Sequence, residues 1–326
     1  WGASASGPDP YSQFTKDLWA GKKMYADSAD VQSRRLCDEA MAGITAGEGY
    51  VQVLNTNLWP RTDVVTVAAD LTGKRLLAPS GEPVAVQRLH DGGWIFLAEE
   101  VPALSSSVYR IVPAAKAKKS PAAPVSMIGG NVLDNGLVRV AVDPAKGTIR
   151  SLKAAGADYE YAAGEGLNDY IYSGRIAADP RGIDRVTCVE VLDDGPVAAT
   201  LRIVSDAPGC NALWRDVTVY RGLGRVDIRN TVDKQDILEH ESVRFVFPFN
   251  FAHPEITMDL AMSEMHPERE QLAGVNKHYY SLLNGMAVGD LEHAVCLTTL
   301  DAPFVELGTP SGADYRLNPR HGYGWW

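Results

Sequence analysis

His240 and Glu241 stand side by side. An imidazole next to a carboxylate is the smallest set of groups that can move a proton on and off a substrate near neutral pH. Adjacent residues on a regular strand point to opposite faces, so this pair converges only across a bulge or bend. Glu241 alternates with Val243 and Phe245, which would turn it partly inward; the competing reading is a charge at the strand's solvent end, neutralised by Arg244 or Lys234. A structural role for the pair is therefore preferred. His253-Pro254-Glu255 and His266-Pro267-Glu268 offer the donor types that bind zinc, but each places a proline between the two donors, on what reads as surface loop. His-Glu-x-x-His, His-x-Asp and Cys-x-x-Cys are all absent, as are a Gly-x-Ser-x-Gly elbow and a Walker loop. Gly222-Leu223-Gly224 lacks the third glycine of a dinucleotide fingerprint. No catalytic residue and no metal ligand is assigned.

Aromatic side chains offer a second chemistry, because sugar rings stack on their faces. Trp59, Trp94, Trp214, Tyr170, Tyr172, Tyr279 and Tyr280 are the candidates, and most are expected in the core or on sheet surfaces. Asn168 and Asp169 are turn formers following Gly164-Glu165-Gly166, so Tyr170 belongs where a loop enters a strand. Its hydroxyl can donate to or accept from a sugar oxygen. The competing reading is that Tyr170 and Tyr172 alternate on one strand face and pack on the sheet.

Such residues need a frame, and the pattern supplies one between Asn131 and Phe249. Alternation runs through Leu137–Val142, Pro196–Ile203, Leu213–Tyr220, Gly224–Val232 and Glu241–Phe249, the period of two that half-buried antiparallel strands require. Further strands are expected at 50–54, 64–68, 84–89, 94–98 and 107–112, punctuated by Gly73, Pro79-Ser80-Gly81 and Asp91-Gly92-Gly93. Before them, Phe14, Leu18, Tyr25, Ala29, Leu36, Ala40 and Ile44 recur at helical spacing from a start at Asp9-Pro10. That stripe must bury against something, and the sequence offers no second long helix. Ala114–Pro124, rich in Ala, Lys and Pro, reads as a linker.

The bulk properties narrow the classes. With 326 residues, 45% hydrophobic and 22% charged, the chain has the composition of a globular protein of two or three domains. A net charge of −10 argues against a nucleic-acid partner. No apolar run approaches the ~20 residues that span a bilayer. Four cysteines, Cys37, Cys188, Cys210 and Cys296, lack metal or redox spacing and read as isolated buried thiols, with a Cys188–Cys210 bridge left open. The chain opens on Trp1 rather than Met and ends on Trp325-Trp326, so it reads as a piece of something longer.

Several segments resemble, in order and spacing, the C-terminal β region of glycoside hydrolase family 38, the retaining α-mannosidases. Asn55-Thr56-Asn57-Leu58-Trp59-Pro60-Arg61 is similar to that family's asparagine-proline-leucine-serine-tryptophan-x-arginine turn, with Thr56 in place of proline. Leu167–Tyr172, Ser205–Cys210, Asn230–Lys234, Glu241 with Phe247-Pro248-Phe249-Asn250, Pro267-Glu268 with Gln271-Leu272, and Asp301-Ala302-Pro303 look like bacterial members. Ser281–Gly289 departs from the tryptophan-containing segment that the family would have.

The resemblance implies a mostly β chain. Residues 1–48 would be the end of a helical bundle, 49–113 a small β-sandwich domain, 114–130 a linker, and 131–326 a large, truncated antiparallel β supersandwich, galactose-mutarotase-like. It further implies that the catalytic aspartate and zinc belong to an upstream barrel, absent here. This portion would support that barrel and bundle, with Tyr170 approaching an α-mannoside in the intact enzyme. Two alternatives stay open: a stand-alone carbohydrate-binding or structural β module, and an epimerase-like supersandwich enzyme using His240 and Glu241. Glycoside hydrolysis needs two carboxyl groups about 5 Å apart, and 41 acidic residues give no basis for choosing a pair.

Overall fold

The computed structural model describes residues 9, 11–43, 46–114, 126–174, 180–237, 239, 241–267, 269–275 and 277–308. One helix, α1 (Gln13–Met41), precedes strands β1 (Tyr50–Asn55), β2 (Arg61–Val67), β3 (Lys74–Leu77), β4 (Pro83–Val84), β5 (Val86–Arg88), β6 (Trp94–Val101) and β7 (Ser105–Pro113). Then come β8 (Ile128–Gly129), β9 (Val132–Asp134), β10 (Val138–Val142), β11 (Ile149–Ala154), β12 (Asp169–Ser173), β13 (Arg185–Asp194), β14 (Ala198–Asp206), β15 (Cys210–Tyr220) and β16 (Val226–Lys234). The series ends with β17 (Ser242–Val246), β18 (Glu255–Leu260), β19 (Ser263–Met265), β20 (Tyr279–Ser281), β21 (Gly285–Gly289), β22 (Ala294–Thr298) and β23 (Phe304–Glu306). The chain is mostly antiparallel β with an N-terminal helix, as the pattern required.

Two compact units divide it. The first takes Trp1–Arg61, Leu71–Val84 and Glu100–Ala114, and holds α1 and a sheet in the order β1-β7-β3-β4. The helix starts at a Ser12 cap, whose hydroxyl accepts from the Thr15 amide at 3.3 Å, rather than at Asp9-Pro10. Pro10 lies outside the described residues. Lys23–Asp27, Asp30–Arg34 and Arg35–Glu39 pair one turn apart on its surface, contacts that add little. Thr15 is its one buried residue. Along the apolar stripe, Phe14, Tyr25 and Leu36 are 69%, 68% and 60% exposed and Leu18 is half-buried, while Ile44 lies outside the described residues. A helix draws most of its stability from packing an apolar face, and this one is uncovered among the described residues. After β1 the Asn55 carboxamide sets the turn. It donates to the carbonyls of Trp59 (2.8 Å) and Val101 (2.9 Å) and accepts from the Asn57 amide (3.0 Å).

The second unit takes Thr62–Asp70, Ala85–Glu99 and Ala115–Trp326, so the 49–113 stretch gives strands to both units. The expected linker, 114–130, is described only at Ala114 and from Ser126 onward. In the second unit, sheet β11-β10-β9-β8 and sheet β13-β14-β15-β16 share one core. Leu133, Val140 and Val142 meet Leu201, Ile203, Val217 and Val219 there, and full burial of each such side chain contributes about 1.5–3 kcal/mol. The smaller sheet β2-β6-β5 adds Ile95 against Val197 and Ala198.

On β15 the inward row reads Leu213, Arg215, Val217, Val219, so a guanidinium enters the core. Arg215 is fully buried. Its Nη2 donates to Ser205 Oγ (3.0 Å) and the Lys146 carbonyl (3.3 Å), and its Nη1 to the Asn168 carbonyl (3.4 Å). Burial pulls its pKa down to about 10, partly opposed by the charge of Asp169. Gly147 makes room for it. This residue has φ +67°, and a Cβ there would lie 2.0 Å from Arg215 Nη2. Gly147→Ala is therefore expected to lose about 3 kcal/mol or more, combining left-handed strain with a collision against a buried group. Gly136→Ala, at φ +83° in open space, should cost only the strain, about 1–2 kcal/mol. Urea titration of both variants measures the difference. Equal losses would show that Arg215 does not set the requirement at position 147.

Candidate functional site

β12 and β17 form a two-stranded ribbon in which Tyr170 faces Phe245 and Tyr172 faces Val243. Asn168, at φ +61°, turns the preceding loop into β12, and its amide exchanges hydrogen bonds with that of Asn230 at 2.9 and 2.7 Å. The structure places Tyr170 in the core rather than where a sugar could reach it. Its ring lies edge-on to Phe245 with centroids 5.8 Å apart, and its hydroxyl donates to the Pro208 carbonyl at 2.6 Å. Burial pushes this phenol up. Tyr172 is buried on the same face, and its hydrogen bond to the Glu241 carboxylate, with burial second, raises its phenol. One oxygen of Glu241 pairs with Lys234 Nζ, the neutralising partner available in the sequence. His240 lies outside the described residues.

The remaining candidates do not assemble. His266 Nδ1 lies 3.2 Å from the Ile256 carbonyl, and Glu268 lies outside the described residues. Among the described residues, no three His, Cys, Asp or Glu side chains converge. All four cysteines are free. Only Cys210 is buried, so the expectation of buried thiols fails for Cys37, Cys188 and Cys296. Strand β14 lies between Cys188 on β13 and Cys210 on β15. Of the aromatic candidates, Trp59 is exposed, Trp94 and Trp214 are half-buried and Tyr280 is buried. Tyr279 stacks on Phe304 at 5.4 Å.

Two arrangements escaped the sequence. Tyr159 stacks on His293 at 3.9 Å and on Phe251 at 5.9 Å, joining residues more than ninety positions apart. The other is a cleft of about 600 Å³ between the turn after β5 and the turn joining β13 to β14. Gln87 forms its floor. This carboxamide accepts from the amides of Val197 (2.9 Å) and Ala198 (2.8 Å) and donates to the Ala198 carbonyl (3.0 Å). Asp193 forms a wall, with Oδ1 accepting from the His90 amide and Oδ2 facing His90 Nδ1, each at 2.8 Å. The available signal was Asp91-Gly92-Gly93 and Asp194-Gly195-Pro196, which mark two turns but not their meeting.

No family model and no curated protein sequence matches the chain. Among solved structures it is similar to an alpha-mannosidase from Enterococcus faecalis V583, with a TM-score of 0.66 at 13% identity, over 86% of this chain and 42% of that one. A protein in glycosyl hydrolase family 38 from Enterococcus faecalis is matched with a TM-score of 0.64 at 12% identity, over 90% of this chain and 47% of that one. At such identities the likeness is one of fold. The chain spans less than half the length of either structure.

Tyr170→Phe is expected to lose about 1–3 kcal/mol of stability, because it leaves the buried Pro208 carbonyl without its donor. The folded phenol titrates above its unfolded value, so the stability it contributes is complete below about pH 10 and is lost as pH rises beyond that. The variant should accordingly show a shallower alkaline decline. Denaturant midpoints between pH 8 and pH 11 measure both effects. Wild-type stability in Tyr170→Phe would remove the core role.

Proposed function

We propose that this chain is the β portion of an α-mannosidase-like glycoside hydrolase whose catalytic barrel lies outside residues 1–326. In this reading, residues 1–48 close a helical bundle and 49–113 form a small β-sandwich. Residues 114–130 link it to a supersandwich at 131–326, and the whole supports the barrel. The intact protein hydrolyses terminal α-mannosides with zinc held elsewhere, and this portion contributes to sugar binding. The observation that carries the reading is the fold likeness over 86–90% of this chain to structures more than twice its matched length. The exposed stripe of α1 supports it, because apolar surface of that kind marks a place where a partner packs.

Purified residues 1–326 are expected to release no phenol from an aryl α-mannoside, with or without zinc. The gene product that includes upstream sequence is expected to do so. Turnover by residues 1–326 that is lost to a chelator and restored by zinc would overturn the assignment. So would a longer product lacking any such activity.

The helix gives a second check. Tyr25→Glu with Leu36→Glu is expected to change the stability of residues 1–326 by no more than about 0.5 kcal/mol, as for exposed sites generally. In the longer product the same pair should lower the melting temperature by several degrees. An equal effect in both proteins would mean that α1 has no further partner.

A further inference from the structure

The cleft beneath His90 rests on a fixed base, since Gln87 and Asp193 clamp its two turns. Gly195 must lack a side chain, since a Cβ there would lie 2.3 Å from the Gln87 carboxamide carbon. Asp193 is buried, and both of its oxygens are turned to His90. A carboxylate only accepts, so His90 Nδ1 carries a proton toward Asp193, and Nε2 is the ring nitrogen left outside that contact. The His90 side chain remains 39% exposed. Arg88 and Asp194 line the same cleft, the latter accepting from Ser126 Oγ at 2.6 Å through Oδ2. Leu89, Leu192 and Pro196 supply an apolar wall.

The balance of these groups indicates the ligand. Arg88 stands against two carboxylates, so neither a strong anion nor a strong cation is favoured. Gln87 and Asp193 are occupied within the protein, so Arg88, His90 and Asp194 are the polar groups that line a space of the size that small-molecule sites occupy. A neutral ring bearing several hydroxyls matches this set. A hydroxyl both donates and accepts, so such a ring can meet Asp194, His90 Nε2 and Arg88, with its C–H face on Pro196 and Leu192. We propose that this cleft binds a saccharide, with His90 and Arg88 as its principal polar contacts. The choice of a mannoside as probe rests on the proposed function, but the site itself does not depend on that activity.

The test is an amide-resolved NMR titration of the whole chain with methyl α-D-mannopyranoside, with methyl β-D-galactopyranoside and sodium phosphate as separate arms. Saturable shifts are expected at Arg88–Gly93 and Leu192–Gly195 with the mannoside. His90→Asn retains a donor toward Asp193 but lacks Nε2, and Arg88→Gln alters an exposed residue, so both variants should fold. Each is expected to weaken binding at least five-fold. Absence of shifts with either glycoside, equal affinity in both folded variants, or saturation by phosphate alone would overturn the proposal. A longer gene product that cleaves aryl α-mannosides while this cleft stays silent removes only the cleft. Binding here in a protein without that activity removes only the mannosidase reading.

Discussion

A guanidinium in a hydrocarbon core has to be solvated by the protein itself, and this requirement organises the second unit. Removing a charge from water is costly unless acceptors converge on it. Arg215 obtains them from three separate segments: the turn at Lys146, the loop at Asn168 and strand β14 at Ser205. Each acceptor is fixed in turn. Gly147 gives way to the guanidinium, and the left-handed backbone of Asn168 aims its carbonyl while its side chain locks to Asn230 on β16. One buried charge thereby ties the β10–β11 turn, the entry to β12, and three strands of the neighbouring sheet into a single arrangement.

That arrangement also fixes what the β12 loop can present. Asn168 and Asp169 are committed to the network around Arg215, and the next residue, Tyr170, follows β12 inward to Phe245 and the Pro208 carbonyl. A loop held at its carbonyl, its side chain and its following ring is poorly suited to adapting around a ligand. The turns at Gln87–Gly93 and Leu192–Pro196 differ. They are clamped at their bases by Gln87 and Asp193, which leaves His90 partly exposed above a fixed floor. Rigid support under an accessible polar group is the usual basis of recognition.

Much of this was legible in the sequence, and the exceptions have identifiable causes. Strands β10, β14, β15 and β16 alternate cleanly because one face of each is buried and the other is not. Strand β13 was missed, because bulges between Val186 and Cys188 and between Val191 and Asp193 break the period of two. The alternation of β15 correctly marked an inward row but gave no warning that position 215 in it is arginine, since periodicity carries no information about acceptors supplied from distant loops. Tyr170 was placed correctly at a loop-to-strand junction; which way its ring turns depends on the register with β17. The His90–Asp193 pair spans 103 positions. No local pattern encodes it.

The acidic residues carry the argument about chemistry one step further. Bond cleavage at a glycoside requires two carboxyl groups held free of competing partners, about 5 Å apart on either side of the sugar. Four carboxylates of the second unit that are buried or half-buried are employed otherwise. Asp216 takes a bidentate contact from Arg202, with both distances 2.7 Å. Glu306 accepts from Arg244 at 2.9 Å, Glu241 meets Lys234, and Asp193 meets His90. The Arg202–Asp216 pair uses the planar guanidinium fork, which fixes geometry as well as charge. A carboxylate bound in this way is oriented toward protein, which suits sheet construction.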